Sequence, residues 1–180
     1  MRERIIQAYM EMATRQGLDG MTMDQVAGRA GVSKRTVYRY FASKEALLIA
    51  AIEELKQKMR HKVGQLAALG LSPEEMVAEI LSTLVREGNF LINPQGLEDL
   101  RVRYPQVWQD VDQFRQERLQ ELFRHLVGQV DTEVVPAIVS TIIVTSVREI
   151  LNPEFLFANN LAFEETARQL SRLLLRMMTK

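Results

Sequence analysis

Cysteine is absent from the 180-residue chain, which excludes a disulfide frame, a thiolate metal site and a cysteine nucleophile. Only two histidines occur, His61 and His125, far apart and without the spacing of metal ligands or a catalytic pair. No apolar run approaches the roughly 18 residues that a bilayer span requires. The N-terminal run from Met1 to Ile6 lacks the apolar core of a secretion signal. Phosphate-binding glycine loops, nucleophile elbows and zinc-protease motifs are missing too. The paired acids Glu74-Glu75 and Glu164-Glu165 fall at expected helix starts, where the helix dipole accounts for them. The expectation is a cytoplasmic protein with no enzymatic activity, catalytic residue, cofactor, metal or membrane partner.

What is present fits a globular chain, with 47% hydrophobic and 26% charged residues. The zero net charge hides an asymmetry. Residues 1–62 hold 12 Lys and Arg against 7 Asp and Glu, a balance of +5, and the remainder carries −5. A basic first third joined to an acidic remainder suggests that the first third meets a polyanion.

Strand signals are nearly absent, and apolar residues recur at spacings of three and four. The fold class is therefore all-α, with about nine helices. The first covers about 2–16, with Ile5, Ile6, Tyr9, Met12 and Ala13 on one face and Gly17 as its stop. Thr22 and Gln25 form a capping box for a second helix to about Ala30. Gly31 can take the left-handed backbone of a tight turn. Ser33 caps a third helix over 34–40, and Ser43 a fourth over about 44–67. Further helices are expected over about 74–91, 94–102, 106–127, 133–151 and 163–178, with Pro136 in the first turn of its helix and Asn152-Pro153 ending it.

The third helix has the layout of a DNA-reading element. Val37 and Phe41 anchor it, while Lys34, Arg35 and Tyr38 project from the opposite side near its N-terminal end, where base edges are usually met. Thr36, Arg39 and Tyr40 lie where the sugar-phosphate backbone can be reached. Lys44 adds a cation at the next helix start, and the Thr22 hydroxyl could grip a phosphate likewise.

The run from Ala30 to Leu48, together with a helix ending at Gly17 and the Thr-Met-Asp-Gln-Val-Ala segment from Thr22 to Ala27, resembles the DNA-binding signature of the TetR/AcrR family of bacterial transcriptional regulators. The resemblance covers roughly residues 2–55. It implies an all-helical homodimer in which residues 1–45 form a helix-turn-helix domain and residues 46–180 an effector-binding and dimerisation domain, linked by the helix over about 44–67. By similarity, Lys34, Arg35 and Tyr38 read bases, whereas Thr22, Thr36, Arg39, Tyr40 and Lys44 lie near phosphates. Many relatives carry a small residue or Pro where this chain has Arg35. A guanidinium there could pair with guanine or only hold a phosphate. The chain begins almost at its first helix, so no minor-groove arm is expected.

Such regulators commonly repress and release DNA when a small molecule binds the larger domain. Candidate effector contacts are Phe90, Leu97, Arg101, Trp108, Val111 and Phe114, an apolar aromatic set with one cation. The helices over 133–151 and 163–178 are apolar on more than one side, which suits either a homodimer interface or a deeply buried central helix. The reading is a ligand-responsive dimeric repressor of a palindromic operator. The alternatives are an effector-independent regulator and a helical protein-interaction module.

Overall fold

A computed structural model of the chain describes residues 1–71, 75, 76, 79, 82, 83, 86, 87, 91, 94–127 and 135–178. Among these residues no strand occurs, and nine helices have both ends described. They are α1 (Arg2–Gln16), α2 (Met23–Ala30), α3 (Lys34–Tyr40), α4 (Lys44–Ala68), α5 (Pro94–Arg103), α6 (Pro105–Val127), α7 (Pro136–Ile150), α8 (Pro153–Ala158) and α9 (Phe163–Met178). Of the helix expected over about 74–91, the described residues from 75 onward are helical, and the others lie outside the described residues.

The caps fall where side-chain chemistry puts them. Gly17 ends α1, returning its N–H to the Ala13 carbonyl at 2.9 Å. Thr22 Oγ1 accepts from Gln25 N at 3.2 Å while Thr22 N donates to Gln25 Oε1 at 2.8 Å, so two orphan donors of α2 are satisfied reciprocally. Ser33 Oγ accepts from Thr36 N, and Ser43 Oγ from Ala46 N, each at 3.1 Å. Gly31 closes α2 with φ 63° and ψ 41°, the left-handed conformation. Its N–H and that of Val32 return to carbonyls of α2.

Two departures concern the C-terminal third. Helix α7 begins at Pro136 rather than at 133, because proline supplies a ready first-turn φ and needs no hydrogen-bond acceptor for an N–H. Asn152-Pro153 ends α7 but also opens the six-residue α8, which was not expected: Asn152 Oδ1 accepts from Phe155 N at 3.0 Å, with proline at the first position. One dipeptide serves as both stop and start.

The chain divides into two compact units. The first comprises Met1–Lys58 and Glu87–Gln109. Its core holds Ile5, Ile6, Tyr9, Leu18, Val26, Val37, Leu47, Leu48 and Leu100, with Phe41 and Ile52 nearly as closed off. The second comprises Met59–Arg86 and Asp110–Lys180. Its core gathers Leu66, Met76, Ile143, Leu151, Ala167, Leu170 and Leu174, flanked by Val139, Val147 and Phe163.

A polar hub lies inside the first unit. Asp19, in the loop between α1 and α2, receives Lys44 Nζ on Oδ1 at 2.6 Å and Arg103 Nη1 on Oδ2 at 2.6 Å. The Tyr104 hydroxyl donates to Oδ1 at 2.6 Å. Beside it, buried Asp99 accepts the Leu18 N–H at 3.1 Å and lies 3.7 Å from Arg103 Nε. The buried Tyr9 hydroxyl donates to the Leu18 carbonyl at 3.4 Å. Partial burial alone would raise the Asp19 carboxyl, but hydrogen bonds from Lys44, Tyr104 and Arg103 outweigh it and hold the group down at about 2. Burial and the Asp19 charge together push the Tyr104 phenol up.

Gly28, in α2, has open space around a would-be Cβ, and so has Gly31, but only Gly31 has positive φ. Gly28→Ala is expected to raise stability by about 0.5–1 kcal/mol, and Gly31→Ala to lower it by roughly 1–2 kcal/mol, read from denaturant melts. Because the folded Asp19 carboxyl titrates below its ordinary value, its stabilisation is fully present above about pH 4 and is lost as pH falls toward about 2. The contribution is on the order of 2 kcal/mol, less what solvent screening removes at a carboxyl 24% exposed. Asp19→Asn should flatten this limb of the stability–pH curve.

Candidate nucleic-acid interface

Helix α3 has seven residues, too few to hold its shape in water without partners. It is held by its cap at Ser33 and by two inward side chains, Val37 at 0% exposure and Phe41 at 4%. With those faces fixed inward, the other side is left to solvent: Lys34, Arg35, Tyr38, Arg39 and Tyr40 are exposed and Thr36 is half-buried. Tyr38 and Tyr40 are 45% and 41% exposed.

The cations of this face are partly ordered before any ligand arrives. Lys34 Nζ pairs with Asp24 Oδ2 at 2.9 Å, and that hydrogen bond raises the Lys34 ammonium. Both side chains are more than half exposed, so the pair adds little stability and leaves the cation available to a stronger anion. Lys34 Nζ also sits 6.0 Å from the Tyr38 ring centre, and the Arg39 guanidinium 5.3 Å from that of Tyr40. Among the described residues, Arg35 carries no ion pair or ring contact, so its guanidinium fork is uncommitted.

Lys44 and Thr22 stand differently. Lys44 is half-buried and its ammonium is engaged three times, by Asp19 Oδ1 and by the carbonyls of Asp19 at 3.1 Å and Met21 at 3.4 Å. It can reach a phosphate only by leaving that arrangement. Thr22 is exposed, but its hydroxyl is occupied in the capping box, accepting from Gln25 N and donating to Gln25 Oε1 at 3.2 Å. Thr36 Oγ1 lies 2.9 Å from Ser33 Oγ.

Three arginines that the sequence did not single out brace the turn. Arg4 Nη2 donates to the Gly31 carbonyl at 3.3 Å, Arg2 lies 5.5 Å from the Phe41 ring centre, and Arg29 pairs with Glu11. Their signal was present only as charge in the first third, because each pairing joins positions far apart in sequence.

The expected effector contacts fall in both units. Arg101, in the first, pairs with Glu98 at 3.3 Å, and Trp108 is half-buried. Val111 and Phe114, in the second, are half-buried, and the Phe114 ring centre lies 4.9 Å from the Arg60 guanidinium and 5.7 Å from that of Arg118. Phe90 and the side chain of Leu97 lie outside the described residues. Among the described residues, no cluster of three His, Asp or Glu side chains could hold a metal ion, and no helix is long and apolar enough to cross a membrane.

Comparison with known proteins agrees with this geometry. The family model of bacterial regulatory proteins of the tetR family matches residues 5–51, from α1 into α4. The transcriptional regulator BetI of Rhizobium meliloti is 33% identical over 89 residues, covering 49% of this chain and 44% of BetI. The transcriptional repressor KstR of Mycobacterium tuberculosis is 34% identical over 85 residues, 47% of this chain and 39% of KstR. The chain thus spans less than half the length of these curated relatives. A solved TetR/AcrR-family transcriptional regulator from Aquifex aeolicus superposes with a TM-score of 0.70 at 21% identity, covering 98% of each chain. The regulator FadR from Bacillus subtilis, solved in complex with stearoyl-CoA, gives 0.66 at 16% identity over 97% of each chain. The segment from Ile5 to Ala51 thus matches the helix-turn-helix model of the tetR family of bacterial regulatory proteins, and the fold matches that of a solved TetR/AcrR-family regulator over nearly the full length.

Proposed function

We propose that the protein is a dimeric DNA-binding transcriptional repressor that leaves its operator when a small molecule binds. The observation that carries the DNA-binding part is the two-sided character of α3. Val37 and Phe41 are withdrawn into the core, and five cationic or aromatic side chains remain bare on the other face. A basic, rigid, short helix of this kind suits the major groove. In this reading Lys34, Arg35 and Tyr38 meet base edges, whereas Thr22, Thr36, Arg39, Tyr40 and Lys44 lie along the phosphates. Residues 1–45 act as the DNA-binding domain and residues 46–180 as the effector-binding and dimerisation domain. That KstR is named a repressor supports the sign of regulation.

The dimer reading rests on α7 and α9. Val135, Ile138 and Ile142 follow one another at spacings of three and four and are 58%, 52% and 44% exposed, while Ile143 on the same helix is buried in the second unit's core. Leu173 on α9 is 58% exposed between buried Leu170 and Leu174. An apolar stripe left in water this way favours a second copy over a central buried helix, and a two-fold axis would place α7 and α9 of both subunits together. The paired half-sites of a palindrome follow from the same axis. For the effector, the Arg60 guanidinium against the Phe114 ring favours an anionic small molecule, whereas Arg118 on the same ring is paired with Glu121.

Binding to the DNA upstream of its own gene, titrated with salt, tests the reading. Steep loss of affinity with salt is expected, and absence of binding at low salt would favour a protein-interaction module. Arg35→Ala should relax preference at one base pair per half-site by about 1–3 kcal/mol. Uniform weakening across all sequences would instead assign Arg35 to a phosphate. Ile138→Glu should give a monomer by light scattering with the helical content retained, and an unchanged dimer would remove α7 from the interface.

A further inference from the structure

The Asp19 hub has a consequence for DNA binding that rests on the reading above. Lys44 is the sole member of the proposed phosphate-facing set whose cation is already in an ion pair inside the first unit. Its carboxylate partner also binds two groups of the α5–α6 corner, Arg103 at 2.6 Å and Tyr104 at 2.6 Å. One loop carboxylate therefore joins the start of α4, which borders the DNA-binding helix, to that corner.

We propose that Asp19 is a positioning residue for DNA binding: it competes with operator phosphate for the Lys44 ammonium, and Arg103 and Tyr104 set the strength of that competition by sharing the same carboxylate. An ammonium has three donors, and here all three are taken by Asp19 Oδ1 and the two loop carbonyls. A phosphate must displace at least one of them. Asp19 has two oxygens, one shared by Lys44 and Tyr104 and the other held by Arg103. While Arg103 and Tyr104 are docked, part of the carboxylate charge is neutralised and Lys44 leaves more easily. A movement of the corner away from Asp19 would leave the whole charge to Lys44 and hold it from the DNA. This ties the geometry of α5 and α6 to operator affinity through a single side chain.

The test is a double-mutant cycle on the full chain. Its probe is the shortest duplex that the wild-type protein selects from a random-sequence pool, followed by fluorescence anisotropy across a salt series. Lys44→Ala should lower the salt slope by about 0.9, the loss of one phosphate contact. Asp19→Asn should tighten binding roughly three- to tenfold. The same change in the Lys44→Ala background should have no effect. Arg103→Gln, which keeps Asp19 charged, should weaken binding, and that change too should vanish without Lys44. Tightening by Asp19→Asn that persists in Lys44→Ala would mark a general charge effect and overturn the proposal, as would an unchanged salt slope in Lys44→Ala. If Asp19→Asn fails to fold by circular dichroism, the Arg103→Gln and Lys44→Ala arms decide alone. Failure of the wild-type protein to select any duplex would sink the DNA-binding reading itself, whereas selection without coupling would sink only the role of Asp19.

Discussion

Withdrawal of Val37 and Phe41 from water is the constraint on which the rest of the molecule's surface chemistry depends. A seven-residue helix cannot form alone, since nucleation consumes most of what so few hydrogen bonds return. Once two of its side chains are buried, its orientation is no longer free, and the remaining positions are dealt outward by the helical period. The cationic face of α3 is thus a geometric result of apolar burial. Capping at Ser33 and the left-handed turn at Gly31 fix where that helix starts, and Arg4, bonded to the Gly31 carbonyl, steadies the turn from α1. Residues that touch no base can therefore decide what a base would meet.

Electrostatics in the first unit divides its cations into two populations. Lys34, Arg35 and Arg39 are exposed and held weakly or not at all by carboxylates. Lys44 and Arg103 converge on Asp19, a carboxylate only 24% exposed, where desolvation makes each hydrogen bond count for more. Both kinds contribute equally to a sequence charge count, yet only the first is immediately available to a polyanion. The 12 Lys and Arg of residues 1–62 therefore do not all count alike at the proposed groove: Lys44 is committed to Asp19, whereas Arg35 and Arg39 face solvent.

Much of the helical plan was legible because its signals are local. The Thr22–Gln25 box, the Ser33 and Ser43 caps and the Gly17 and Gly31 stops each act within four residues, so short sequence windows contain the whole interaction. The outward set on α3 was legible for the same reason, since helical spacing alone separates Val37 from Lys34, Arg35 and Tyr38. Long-range pairing was not. Lys44 read as a free cation because its partner lies 25 residues away across a loop, and Arg103 and Tyr104 reach Asp19 over more than 80 positions. Asn152-Pro153 failed in another way, because its stop and start meanings are chemically identical and only the following residues, folded into α8, choose between them.

The second unit shows why apolar content alone does not reveal a helix's neighbours. Helix α7 is apolar on most of its circumference, and from sequence a central buried helix and an interface helix look alike. The distinction is made by which apolar positions the unit's own core consumes. Ile143 and, in part, Val139 and Val147 are used there, whereas Val135, Ile138 and Ile142 are left over. Leaving three β-branched side chains in water on one stripe is unfavourable by roughly 25 cal/mol for each Å² of apolar surface that a partner could cover. Covering that stripe would return this free energy, which is why the proposed two-fold contact is placed on α7 and α9.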